Sequence, residues 1–249
     1  MRKGFVQHAL QLETGRFRNF LSYERRWLET EGSEDSHGRT LWALGTVAGR
    51  SHDPCWRALA RELLRAALPA VETFTSPRAW AYTLLGIDAS LNSPVNDGAS
   101  LALRDRLAAR LLRLFRDHAT AEWPWLEPHL TYANARLSQA LLVTGRRLKD
   151  EAMVGFGLQS LAWLASVQRS PEGWFAPVGS EGFYPRGASP AGYDQQPIEA
   201  CGMVSACHDA FRATGDEQWV HEARRAFAWF LGSNALQAPL YDQIGRAHV

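Results

Sequence analysis

The chain has 249 residues, 46% of them hydrophobic and 21% charged, a balance that suits one large globular domain and excludes a disordered or low-complexity segment. Its 27 basic and 26 acidic residues leave a formal charge of +1, too even for a surface whose main work is nucleic-acid binding. No uncharged apolar run of about 18 residues occurs, and the basic opening MRKGFVQHALQLETGR lacks the apolar stretch and cleavage site of a secretory signal. Cys55, Cys201 and Cys207 form neither a CxxC pair nor a zinc set; the odd count predicts reduced thiols, packed in the interior of a cytoplasmic protein.

In chain order, a short outer helix is expected near Phe5 to Leu10. Four segments then repeat one grammar: a polar, aromatic-rich loop, an apolar helix, a short turn and an amphipathic helix. The apolar helices are expected from about Arg39 to Ala48, Trp80 to Ala89, Tyr132 to Gly145 and Gln195 to Gly215. Glycines at Leu44-Gly45, Thr144-Gly145 and Thr214-Gly215 are read as their left-handed C-caps. Ser36, Ser76 and Asp35 are candidate N-caps. Among the partner helices, Asp53-Pro54 is an N-cap followed by proline at the first helical position, and Trp56, Ala60, Leu63 and Ala67 recur at helical spacing. From Ser100 to His118, Leu103, Leu107, Leu111, Leu114 and Phe115 share one face, with five arginines on the other. Val154, Leu158, Leu161 and Ala165 mark the third partner; Trp219, Ala223, Ala226, Phe227 and Phe230 mark the fourth. Buried helices paired with half-solvated ones build a solenoid or a closed double ring, and loops of such unequal length favour the ring, an all-α (α/α)6 toroid.

The loops that enter the apolar helices carry the chemistry. They hold Glu34, Asp35, His37 and Arg39; then Arg78; then Trp125, Tyr132, Asn134 and Arg136; then Trp174, Arg186, Asp194, Gln195, Gln196 and Glu199. Carboxylates, amides and guanidinium groups bind sugar hydroxyls, and Trp and Tyr stack on pyranose faces. Cleaving a glycosidic bond needs two carboxyl groups, one acid and one base or nucleophile. Asp35 (or Glu34) and Asp194 (or Glu199) are the candidates. A buried acid such as Glu199 is costly unless paired. Arg39, Arg78 and Arg136 serve equally well as loop ties. His37 and His129 are candidate acid–base groups for a sugar epimerase. No HExxH, phosphate loop, GxSxG or dinucleotide fingerprint occurs, so no metal or cofactor is expected.

Together RFRNFLSYERRWLETEGSEDSHGR, TSPRAWAYTLLGI, WPWLEPHLTYANARLSQALL, GFYPRG and DQQPIEA resemble a bacterial six-hairpin glycosidase-like domain found beside group 1 glycosyltransferases and mannoside phosphorylases. The resemblance implies an (α/α)6 toroid with a carbohydrate-related role; the first reading is a domain that binds an oligosaccharide, with glycosidic-bond hydrolysis in the intact parent, for which the resemblance favours an inverting over a retaining route. Its alternatives are a non-catalytic glycan-binding domain that serves a glycosyltransferase or phosphorylase partner, and the epimerase. Two departures stand out: Ala133 occupies the place of an acid in TYANAR, and the family pattern continues beyond PLYD. The closing IGRAHV reads as a translated sequencing adaptor. An incomplete toroid over residues 1–242, about nine of twelve helices, with a non-native tail at 243–249, is therefore expected.

Overall fold

A computed structural model describes residues 4–91 and 98–241; the expected tail at 243–249 lies outside the described residues. Among those residues there are nine α-helices: α1 (Phe5–Ala9), α2 (Glu34–Arg50), α3 (Pro54–Ala67), α4 (Pro77–Ser90), α5 (Gly98–His118), α6 (Ala135–Leu148), α7 (Glu151–Val167), α8 (Pro197–Thr214) and α9 (Gln218–Ala228). A single two-residue ladder, β1 (His129–Leu130) with β2 (Tyr184–Pro185), joins two loops. The chain packs as two compact units, Met1–Leu111 and Leu112–Val249, the division falling within α5. No described helix is long and apolar enough to cross a membrane.

In the first unit α2 packs on α3 and α4. Asp53 caps α3 through the N–H groups of Cys55 (2.7 Å) and Trp56 (3.4 Å), and Ser76 caps α4 through Ala79, as the sequence predicts. The cap of α2 is Ser33, which accepts from the Ser36 N–H at 3.1 Å, so Asp35 and Ser36 fall within the first turn. Gly45 does not end this helix. It lies where α2 crosses α4, and a Cβ there would meet the Gly86 carbonyl oxygen at 1.9 Å. The glycine signal marks backbone-to-backbone approach rather than a turn. Trp42 stacks on Tyr82 beside this crossing, with ring centroids 5.8 Å apart.

The second unit holds the hairpins α6–α7 and α8–α9, with α6 also packed on α8. Gly145 again lies inside its helix; α6 continues to a left-handed Lys149 (φ 57°). Gly215, by contrast, is the left-handed C-cap of α8 at φ 72°. Asp150 caps α7 through Met153 N–H (2.9 Å), and Ser138 and Ser160 hydrogen-bond across the hairpin at 2.8 Å. Arg225 of α9 donates to the carbonyls of Ala165 and Gln168 at the end of α7.

Burial follows the expected asymmetry in part. From Arg78 to Ile87 α4 is continuously buried, and α6 is buried from Ala135 to Leu142. α2 and α8, expected to be enclosed in the same way, each keep an exposed flank. Trp56 and Phe227, expected to face inward, are exposed at the surface: Trp56 lies in the first turn of α3, beyond the buried stretch that begins at Ala60, and Phe227 lies at the edge of the α9 apolar stripe. Cys207 is buried, and burial pushes its thiol up to about 12; Cys55 and Cys201 are exposed, contrary to expectation. Gly45→Ala is expected to destabilise the fold by about 1–3 kcal/mol through overpacking at the α2–α4 crossing. Gly155→Ala, at a site in α7 with nothing within 4 Å of the added carbon, is expected to stabilise by up to about 1 kcal/mol. Urea denaturation of both variants checks the contrast.

Candidate functional site

Two glutamates do the same task in the two units. Glu34, in the first turn of α2, accepts the N–H groups of Thr75 (2.9 Å) and Ser76 (2.7 Å) at the start of α4. Glu199, in the first turn of α8 and only 2% exposed, accepts from the backbone of Ala133 and Asn134 and from the Asn134 side-chain amide (3.1 Å) at the start of α6. Each carboxylate thus satisfies orphan N–H groups of a neighbouring helix and sits in the positive field of that terminus. Ala133 holds a left-handed φ of 50°, an unfavourable geometry for alanine, and its N–H is anchored by Glu199. The two glutamates named as alternates for catalysis are engaged as helix caps.

Asp35 points elsewhere. It lines an open cavity of about 570 Å³ on the exposed flank of α2, with Asn19, Ser33, Ser36, Arg39 and Thr40 at the amino-terminal end and Val6, Ala43, Leu44 and Val47 beyond. Arg39 donates to Asp35 at 2.7 Å and lies 4.8 Å from the Tyr82 ring centroid. The Ser36 hydroxyl donates to Asn19 Oδ1 at 2.8 Å, which fixes the Asn19 amide at the cavity wall. Hydroxyl, amide, carboxylate and guanidinium groups on one wall offer donors and acceptors in alternation, the pattern a polyhydroxylated ligand matches.

In the second unit Asp194 is exposed with a left-handed φ of 58°. Its carboxylate accepts from the Ser180 hydroxyl, its carbonyl accepts from Ser180 N–H at 3.0 Å, and Gln196 Nε2 donates to Ser180 Oγ at 3.3 Å. Gln195 Oε1 accepts from Trp229 Nε1 at 3.3 Å. Asp194, Ser180, Gln195 and Gln196 form a polar cluster at the entry to α8.

The remaining predicted residues divide between open and enclosed positions. Trp174 and Tyr132 are half-buried. Arg186 is exposed and donates to the His118 carbonyl and the Thr120 hydroxyl, tying its loop to the end of α5. Arg78 is buried in the first turn of α4, and Asn134 is buried with its amide bridging Thr131 and Glu199. Arg136 is also buried; it donates to Gln139, whose amide donates to Asp209. Trp125, expected to stack on a sugar, is fully buried with its ring centroid 5.9 Å from that of Trp163. It offers no open face, because the whole Trp123–Leu126 segment is buried with this ring against Trp163. His37, expected to meet substrate, is enclosed between Phe17 and Phe74. Its Nε2–H donates to the Ala67 carbonyl (3.1 Å) while Nδ1 accepts from Phe17 N–H (3.4 Å). Burial lowers its pKa to about 4. Among the described residues no group of His, Cys, Asp and Glu could hold a metal ion. Asn19, Ser33 and Ser180 were not singled out from sequence. Ser33 carried a signal, being the serine just before an acidic first turn; Asn19 and Ser180 carried none.

No family model and no curated protein matches the sequence. Solved structures do match. An α-1,6-mannanase from Salegentibacter sp. HEL1_6 superposes with a TM-score of 0.65 at 14% identity over 89% of this chain and 65% of its own. An inactive double-aspartate variant of that mannanase, in complex with α-1,6-mannotriose, gives 0.64 at 15% identity with the same coverage. An unsaturated glucuronyl hydrolase specific for heparin gives 0.62 at 13% identity, over 91% of this chain and 65% of that one. These are six-hairpin glycosidase-like toroids, and the chain shares their (α/α)6 fold class. It spans about 65% of the length of the structures it matches.

Two outcomes follow from the geometry. An unfolded imidazole takes up its proton near pH 6.5 and His37 only near 4, so between those values the unfolded state binds more protons. Stability is therefore full above about pH 6.5 and falls by about 3 kcal/mol as pH drops to 4; in denaturation series, His37→Gln is expected to flatten that slope. Glu199→Gln, which keeps one acceptor but sets an amide N–H₂ against backbone donors, is expected to cost about 1–3 kcal/mol in the same assay.

Proposed function

We propose that the chain is the carbohydrate-binding part of a glycoside-hydrolase-type toroid. The observation that carries this reading is the cavity at the start of α2, where Asp35, Arg39, Asn19, Ser36 and Thr40 share one open wall. The solved relatives of the fold support it: one was captured with α-1,6-mannotriose and another with α-1,6-mannotetrose. The lining also favours an uncharged sugar over a uronic acid, since Arg39 already faces Asp35 at 2.7 Å.

Asp35 is the carboxyl group proposed to serve the first unit's cavity and Asp194 the one proposed to serve the second unit's polar cluster, because Glu34 and Glu199 are held by backbone N–H groups. Gln195, Gln196, Trp174 and Tyr132 are proposed as sugar contacts of the second unit's own surface. The glycosyltransferase or phosphorylase partner and the cytoplasmic setting belong to the same proposal. The epimerase reading loses its acid–base pair, as His37 is enclosed and kept neutral by burial.

Isothermal titration of the chain with a panel of neutral oligosaccharides that includes α-1,6-mannotriose tests the proposal. Saturable binding is expected, weakened about tenfold by Asp35→Ala or Asn19→Ala, the loss of about one charge-assisted or neutral hydrogen bond. Absence of binding across the panel, or binding indifferent to both substitutions, removes the cavity as the site.

A further inference from the structure

The cavity on α2 is two-ended. Its polar groups cluster around the first two turns of the helix, Ala43, Leu44 and Val47 follow along it toward the far end, and Val6 of α1 lines the same cavity. From Ser36 to Val47 the helix rises about 16 Å, farther than one pyranose ring reaches. Val6 and Val47 are 37% and 38% exposed, so the far end is open to a ligand rather than closed by the unit's own packing. Its lining is wholly aliphatic. A pyranose face is best met by an aromatic ring and its edges by hydrogen-bonding groups, and this end supplies neither; a hydrocarbon chain asks for neither. The volume of about 570 Å³ lies in the range of about 300–1,000 Å³ that holds ligands larger than a monosaccharide.

We propose that this cavity takes a neutral glycoside with an aliphatic aglycone, its sugar at Asp35, Arg39 and Asn19 and its hydrocarbon along Ala43, Val47 and Val6. The assignment rests on the carbohydrate reading of the same cavity and adds the chemical class of the group that follows the sugar. The order of side chains along α2 fixes the orientation: sugar toward the amino terminus, where Asn19, Ser36 and the Asp35–Arg39 pair suit hydroxyls, and hydrocarbon toward the middle of the helix.

The experiment compares octyl α-mannopyranoside with methyl α-mannopyranoside, both below the micellar concentration, by isothermal titration and ligand-observed NMR on the chain, with sedimentation analysis alongside. The octyl glycoside is expected to bind at least tenfold more tightly than the methyl glycoside. Val47→Asp and Ala43→Gln, both at open positions and each checked for a cooperative melt, are expected to bring the octyl-to-methyl ratio toward one. Equal affinity for the two glycosides, or an octyl advantage that survives both substitutions, overturns the aglycone assignment and leaves the sugar site standing. Failure of both glycosides and of the oligosaccharide panel overturns the carbohydrate reading itself. Self-association abolished by Val47→Asp in a chain that binds neither glycoside assigns the flank to a second copy and also overturns the proposal.

Discussion

Helices that pack side by side in the same direction bring several unsatisfied N–H groups together at one end, and the buried ones must find acceptors. Both units solve this by lending a glutamate from the first turn of one helix to the backbone of its neighbour: Glu34 to the start of α4, Glu199 to the start of α6. The bonds fix the height of one helix against the other, and with it the loops that open onto the helix starts. Everything proposed to meet a ligand hangs from those loops. The cross-link runs forward in sequence in the first unit and backward in the second, so the shared feature is geometric rather than a repeated motif.

The aromatic loops serve the same end by another means. Trp123 packs edge-on against Trp163 and Tyr184, with centroids 4.7 and 5.1 Å away, and Trp125 lies beneath them. Rings of this size bury enough apolar surface to hold a loop without regular secondary structure. The cost to function is that such rings cannot also stack on a sugar. The recognition proposed above then falls to short polar side chains at or near the helix starts, Asn19, Ser36 and Asp35 in one unit and Ser180, Asp194 and Gln196 in the other.

Helix pairing was legible in the sequence because it rests on period and capping: Asp53-Pro54, Ser76 and the left-handed Gly215 all sit where local chemistry puts them. Gly45 and Gly145 misled because a glycine permitting close helix contact looks, in one dimension, like a glycine permitting a turn. Only the facing backbone of Gly86 tells the first case apart. Trp125 and His37 failed as ligand contacts for a related reason. Residue type gives the inventory a sugar needs, but burial decides who is available, and burial depends on partners distant in sequence: Trp163 for one, Phe74 and Ala67 for the other. Asp35 itself reads as a candidate N-cap; Ser33 provides that cap, and Asp35 pairs instead with Arg39.

Adjacency of Glu34 and Asp35 is itself informative. Successive helical residues point about 100° apart, so one acid of the pair turned toward α4 leaves the other turned away from it. Glu34 reaches across to Thr75 and Ser76; Asp35, shorter by one methylene, stays on the flank and closes an i, i+4 pair with Arg39. A single acid could not hold the neighbouring helix and face the cavity together, because its carboxylate would have to point in two directions at once. In the second unit the exposed acid and the helix-holding acid lie five residues apart, Asp194 in the loop and Glu199 in the helix. In both, the acid inside the packing is spent on holding a neighbouring helix, and the acid outside it pairs with a polar neighbour nearer the surface, Asp35 with Arg39 and Asp194 with Ser180.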